Sequence, residues 1–161
     1  DVRLLKRLSK LYNFKLYSIP PLEIEGDYVS STRIRKAIER GDLLLASKLL
    51  GRPVTILGTV VKGKRLGRKI GFPTANIDPH HEAIPPSGVY SVDIALDGKL
   101  YRGILNISTH KIIEAHIFDF NKDIYGRDIE VIFKKKIRDE KKFKSLEALK
   151  HQIQQDILRA L

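Results

Sequence analysis

The 161-residue chain has no cysteine, no methionine and no tryptophan. Without cysteine there is no disulfide framework and no thiolate metal centre, which agrees with a reducing, cytoplasmic setting. Methionine is absent even at position 1, so the sequence is expected to be a fragment of a longer protein. No apolar run approaches the roughly 18 residues that a membrane-crossing helix needs. The charged start, Asp1 to Lys6, reads as a helix and not as a signal peptide. Acidic residues are scarce: 19 Asp and Glu stand against 30 Lys and Arg, a net charge of +11. Such a surface attracts polyanions, whether nucleic acid, anionic lipid or phosphorylated small molecules, and it also occurs with no dedicated partner. Aromatic residues make up only 7%, which counts against a platform for stacking bases.

What remains is an ordinary globular composition, 42% hydrophobic and 30% charged, enough for one domain or one domain with part of another. Leu4, Leu5, Leu8 and Leu11 lie at helical spacing, and Phe14 to Ile19 alternates like a strand until Pro20-Pro21 breaks it. Ser30-Ser31-Thr32 offers N-caps for a helix to Arg40, with Ile34, Ala37 and Ile38 as its buried stripe and Gly41 as its stop. Asp42 caps a second helix, Leu43 to Leu50, stopped by Gly51. Beyond Pro53 the period changes to two. Val54–Val61, Val89–Leu96, Lys99–Ile107, Ile112–Phe120 and Ile129–Ile137 read as strands, and Asp97-Gly98 is a two-residue hairpin turn. Ser145 opens a last helix with Leu146, Leu149, Ile153 and Ile157 on one face. About five or six antiparallel strands and a terminal helix predict a mainly β fold, a small barrel with the helix packed on it.

Three signals carry chemistry. Gly63, Gly67 and Gly71 recur every fourth residue, with Lys64, Arg65, Arg68 and Lys69 between them. Glycines admit tight turns and close approach of N–H groups to an anion, and cations favour phosphate. The spacing is not that of a Walker loop, and a basic hairpin tip has the same composition. Next, Pro73-Thr74-Ala75-Asn76 offers a hydroxyl and an amide oxygen, hard donors that suit Mg²⁺, or simply a turn. Finally, Glu114 shares a strand face with Ile112, His116, Phe118 and Phe120, opposite Ile113, Ala115 and Ile117. A carboxylate so placed is either a general base or a solvent-facing residue. The five histidines show no zinc spacing.

These blocks, in order, resemble one family. Leu50-Gly51-Arg52-Pro53, Gly67 to Ile77, Ser87-Gly88-Val89-Tyr90, Glu114 to Phe120, Asp123-Ile124-Tyr125-Gly126 and Ile137 to Phe143 are similar to the riboflavin kinase module of bacterial bifunctional FAD synthetases. The resemblance implies a six-stranded antiparallel barrel with a C-terminal helix, preceded by a short α/β remnant and a helical connector. It implies transfer of the ATP γ-phosphate to the ribityl 5′-hydroxyl of riboflavin, giving FMN. Glu114 would be the base and Thr74 would hold Mg²⁺. Gly63, Lys64, Gly67, Arg68, Gly71, Thr74 and Asn76 would surround the ATP phosphates, and Asn76 and Arg138 would face the flavin.

Upstream, Ser30-Ser31-Thr32 and Arg35 resemble the closing motif of the adenylyltransferase domain of the same enzymes, whose early His-x-Gly-His motif is not in this chain. The expected division is a nucleotidyltransferase remnant at 1–28, a connector at 29–50 and the kinase at 51–161. Expected partners are riboflavin, FMN, ATP and ADP, with no stable nucleic-acid partner and no membrane. One departure is visible. Only Ser108-Thr109-His110-Lys111 follows Ile107, where the family usually has a longer Gly-x-Arg-Pro-Thr loop. Two alternatives remain: a basic nucleic-acid-binding barrel, and a flavin-binding module without kinase activity.

Overall fold

The computed structural model describes residues 1–63, 66–80 and 82–161. The leucine spacing at the start forms helix α1 (Val2–Leu11), none of whose residues is buried. The strand expected at Phe14–Ile19 is not there. Alternation alone makes no strand, because an extended segment needs a neighbour for its N–H and C=O groups. Pairing begins after the proline pair, in strands β1 (Glu23–Ile24) and β2 (Asp27–Tyr28).

Helix α2 (Ser31–Arg40) starts where Ser30 Oγ accepts from the Arg33 amide, and α3 (Leu43–Leu50) where Asp42 accepts from the Leu45 amide. Arg33 holds the small hairpin to α2, its Nη1 donating to the carbonyls of Ile24 and Asp27, each at 2.8 Å. Ala37, Ile38 and Ala46 are buried in the same cluster as the barrel interior, so the two helices share its core.

The rest is β3 (Thr55–Val61), α4 (Leu66–Lys69), β4 (Ala75–Asp78), β5 (Gly88–Leu96), β6 (Lys99–Ile107), β7 (Ile113–Ile117), β8 (Asp128–Arg138) and α5 (Leu146–Ala160). The six strands close in the order β3-β4-β7-β6-β5-β8, and β8 pairs back onto β3, all antiparallel. Closure removes both sheet edges. Strand alternation fills the interior as the sequence predicts, with Tyr90, Val92, Ile94, Leu105, Ala115 and Val131 at 0–1% exposure. The Asp97-Gly98 turn has both central φ angles positive, 51° and 74°, as a tight two-residue hairpin requires.

Two details differ from the pattern. Strand β7, expected to run from Ile112 to Phe120, stops at Ile117, because Asp119 turns the chain at φ 53°. Phe120 therefore leaves the Glu114 face and packs edge-on against Tyr101 at 5.1 Å. The short link after β6 is a complete turn. Ser108 N–H donates to Ile112 O and Lys111 N–H to Ser108 O, both at 2.9 Å, with Lys111 at φ 59°.

The N-terminal half of β5 is buried on both faces, Val89 and Ser91 included, because α5 lies across the outside of the barrel. Apolar area alone does not fix that helix. Arg138 at the end of β8 donates from Nε and Nη2 to both oxygens of Asp156 on α5, at 2.7–3.0 Å, and Asp156 is 1% exposed. Gln152 donates to the same carboxylate at 3.0 Å. On the inner face, Tyr90 OH donates to Pro86 O at 2.6 Å. Burial, with the Asp139 charge adding, pushes its phenol up to about 12, so it stays a donor.

Removing one member of a buried pair leaves the other charge uncompensated, at a cost of about 3–5 kcal/mol. Asp156→Ala is expected to lose that much in urea unfolding. A loss below about 1 kcal/mol would mean that α5 is held by apolar contacts alone.

Candidate functional site

Because side chains alternate sides along a strand and keep one side across paired residues, register decides which polar groups meet. Asn76 on β4 is the partner of Glu114 on β7, which is the partner of Asn106 on β6. Val89 on β5 and Arg138 on β8 continue the row. Its neighbours along each strand, Ala75, Ala115 and Leu105, point into the barrel. The row therefore faces outward, under the segment that follows β3 on one side and under α5 on the other.

A cavity of about 400 Å³ lies on this row. Glu114, Asn106 and Arg138 line it together with Thr74, His116 and Gly67. Its remaining wall is largely apolar: Ile70 and Phe72 from the glycine segment, Val89 and Ile104 from the barrel, and Phe143, Leu146, Leu149 and Ile153 from the C-terminal part. A second cavity, about 200 Å³, opens at the barrel mouth and is bounded by Arg68, Thr74, Lys122 and Asp123 among others. Thr74 belongs to both, so one hydroxyl stands where a mostly apolar chamber meets a smaller one that has Arg68, Lys122 and Asp123 on its wall.

The corner that carries Thr74 is held from two sides. His116 Nδ1 lies 2.8 Å from Pro73 O, and since a carbonyl only accepts, Nδ1 carries the proton. Phe72 packs edge-on against the same ring at 5.5 Å. On the other side is Gly67. A Cβ there would stand 2.3 Å from Phe72 O and 3.1 Å from Thr74 Oγ1. Gly63 does the same for Asn76, whose amide nitrogen would be 2.0 Å from a Cβ at 63. These two glycines make room for the two hard-donor side chains. The third, Gly71, instead supplies a positive φ of 89°.

The sequence-derived site is thus brought together in part. Glu114, Thr74, Gly67 and Arg138 line the larger cavity, and Arg68 and Thr74 the smaller. Asn76 meets Glu114 by register but lines neither cavity, and Gly63 and Gly71 act on backbone and packing. Lys64 lies outside the described residues. Arg138 is at the cavity, but Asp156 takes its Nε and Nη2 and the Asp139 carbonyl its Nη1, so much of its donor capacity is spent. Ser30 caps α2, and Ser31, Thr32 and Arg35 are exposed on that helix, away from the lining of both cavities. Sequence reading passed over Asn106, Asp156 and the Pro73 contact of His116. Strand pairing could have found Asn106, since it lies one strand from Glu114. Asp156 leaves no such trace, because a lone acid on a helix reads as solvated.

Hard oxygen donors without a protein cage suit magnesium, which takes few protein ligands and completes its shell with phosphates and water. Among the described residues no group of three His, Cys, Asp or Glu side chains comes together to hold a metal. Thr74 Oγ1, kept accessible by Gly67, and Asn76 fit such a partial set.

Residues 50–161 match the family model described as riboflavin kinase. A Haemophilus influenzae protein named bifunctional riboflavin kinase/FMN adenylyltransferase is 41% identical, covering 96% of this chain and 53% of its own length. The Escherichia coli K12 protein of the same name is also 41% identical, over 99% of this chain and 54% of its length. The chain thus spans about half the length of the curated relatives it matches. A solved structure named riboflavin kinase from Trypanosoma brucei superposes with a TM-score of 0.50 at 25% identity, covering 66% of this chain and 76% of that one. Another, named a macrolide-efflux protein from Streptococcus pneumoniae, superposes with a TM-score of 0.79 at 36% identity, covering 96% and 54%.

Gly67→Ala should force the Phe72–Thr74 corner to shift. Overpacking of this kind costs about 1–3 kcal/mol, readable as a fall in thermal midpoint. A variant as stable as the parent would show that the corner yields freely.

Proposed function

With this chain a member of the riboflavin kinase family, we propose that it transfers the γ-phosphoryl group of ATP to the 5′-hydroxyl of riboflavin, giving FMN and ADP. One observation carries the reading: Thr74 lies on the wall shared by the two cavities, with Glu114 on the floor of the larger. A flavin needs an apolar slot, and the larger cavity, within the usual size of small-molecule sites, is one. The triphosphate belongs on the other side of Thr74, where Arg68 and Lys122 offer positive charge.

Phosphoryl transfer is mostly positioning and charge stabilisation. Glu114 accepts the proton of the ribityl 5′-hydroxyl as that oxygen bonds to the γ-phosphorus, and the bond to the bridging oxygen breaks to release ADP. Arg68 and backbone amides of the glycine segment offset charge on the phosphate oxygens. Magnesium, held by Thr74 and Asn76, would neutralise phosphate charge. His116 keeps the Pro73–Thr74 corner in place, and Arg138 with Asp156 holds α5 as the wall that excludes water.

The comparisons support the kinase and give nothing for a nucleic-acid-binding barrel. Among the described residues no helix is long and apolar enough to cross a membrane. We further propose that residues 1–28 and the Ser30–Arg35 motif belong to an adenylyltransferase unit of a longer protein that converts FMN to FAD in the cytoplasm. The names and lengths of the relatives support the adenylyltransferase unit.

Incubating this chain with riboflavin and MgATP should yield FMN on chromatography, and no FAD. Flavin binding without FMN would favour a module with a dead kinase site. Glu114→Gln should lower kcat by about 10²–10⁴-fold, the usual worth of general-base help. Its Kd for riboflavin should stay within a few-fold, and equal losses in both would remove the base role.

A further inference from the structure

The polar side chains around the larger cavity fall into two groups. Arg138, Asp156 and His116 are each tied to a protein partner. Asn106 is not: among the described residues no hydrogen bond involves its side chain, although it lines the cavity and is half-buried. An amide has two donors and an acceptor, and leaving them unpaired beside apolar walls costs free energy unless a ligand or water meets them.

Register says which part of a ligand that would be. Asn106 is the partner of Glu114 on one side and of Val89 on the other. Strands lie about 4.8 Å apart. If the reacting hydroxyl is at Glu114, a ring resting on Val89, Ile104, Leu149 and Ile153 lies one to two strands further along the row. The chain joining ring to hydroxyl then passes over Asn106. In riboflavin that chain carries three secondary hydroxyls.

We infer that Asn106 is a specificity-determining residue whose amide reads the secondary hydroxyls of the ribityl chain, so that the site prefers a polyol side chain to a plain alkyl alcohol of equal length. The inference rests on the kinase reading above. A site built to hydrogen-bond a hydroxyl rejects an analogue without it, because its own polar groups are then left unpaired. A neutral amide also suits the place better than a second charge, since an acid at 106 would stand directly opposite Glu114.

The test compares riboflavin with the flavin that bears a 5-hydroxypentyl chain in place of ribityl. It keeps the ring and the terminal hydroxyl and lacks the secondary ones. The parent protein should prefer riboflavin by at least about tenfold in kcat/KM, one good hydrogen bond's worth. Asn106→Leu should bring the ratio to within about threefold, with the ratio of the two Kd values, read by flavin fluorescence quenching, changing in parallel. Asn106→Ser, a smaller change that puts a hydroxyl in place of the amide, should retain part of the preference and serves if the leucine variant does not fold. An unchanged preference, or equal losses on both flavins, would overturn the assignment. Failure of the parent protein to phosphorylate riboflavin at all would instead sink the kinase reading, leaving the Kd ratios to judge Asn106.

Discussion

Strand register in a closed barrel is the constraint on which the site depends. With β8 paired back onto β3 there is no free edge along which a strand could slide, and a one-residue slip would turn every side chain of that strand to the other face. Apolar residues on both neighbours of Glu114 make such a slip prohibitive: Ile113 and Ala115 would move to the outside and Glu114 into a core that holds no countercharge. The same hydrophobic term that folds the barrel thus aims the carboxylate. No special interaction is needed to place Glu114 opposite Asn76 and Asn106. It follows from burying the residues between them.

Covering the outer face is a separate problem. A small barrel satisfies its interior without α5, so a helix laid over the outside must bring its own attachment. Its apolar stripe supplies area, but the stripe faces a cavity, and contact there cannot be close. The ion pair between Arg138 and Asp156 meets this need. It fixes the helix at one buried point, with both carboxylate oxygens engaged by Arg138 and Gln152 adding a third donor, and it leaves the apolar part of the wall available. A buried pair of this kind adds little net stability compared with a hydrophobic one, so its use here is better understood as fixing position.

Much of this was legible in the sequence, for reasons that differ by element. Period-two runs such as Val89–Leu96 report directly on which face is buried, whereas the period-3.6 run Leu146–Ile157 reports the helix and its orientation, with Leu149, Ile153 and Ile157 half-buried, Leu146 exposed and Asp156 the buried residue. Caps such as Ser30, Asp42 and Ser145 report on where backbone groups need partners. The segment Phe14–Ile19 misled because alternation shows amphipathic character and says nothing about whether a neighbour exists. Pro73–Asn76 was read as donor chemistry or a turn, and the strand Ala75–Asp78 that overlaps it went unread, since four residues are too few to show a period. In the site, Glu114 and Thr74 were visible as odd residues in a regular setting. Asn106 was hidden inside a well-formed strand, and Asp156 inside a polar helix. Their meaning comes from pairings that are 8 residues away in one case and 18 in the other, and such pairings appear only once the chain is folded.

The division between tied and untied polar groups then orders the site chemically. Groups that must not move are satisfied within the protein: His116 to a carbonyl, Arg138 to a carboxylate, Tyr90 to Pro86 O. Glu114 and Asn106, on adjacent strands along the cavity floor, make no such bond among the described residues. Desolvating four or more polar groups without partners would be costly in a closed interior, but here they stand at a cavity where water or substrate can reach them. The free energy of pairing them is therefore withheld from folding and becomes available to binding. A kinase that must recognise a hydroxyl-rich chain and then extract one proton from it has use for just such groups, held in place by neighbours whose own bonding is complete.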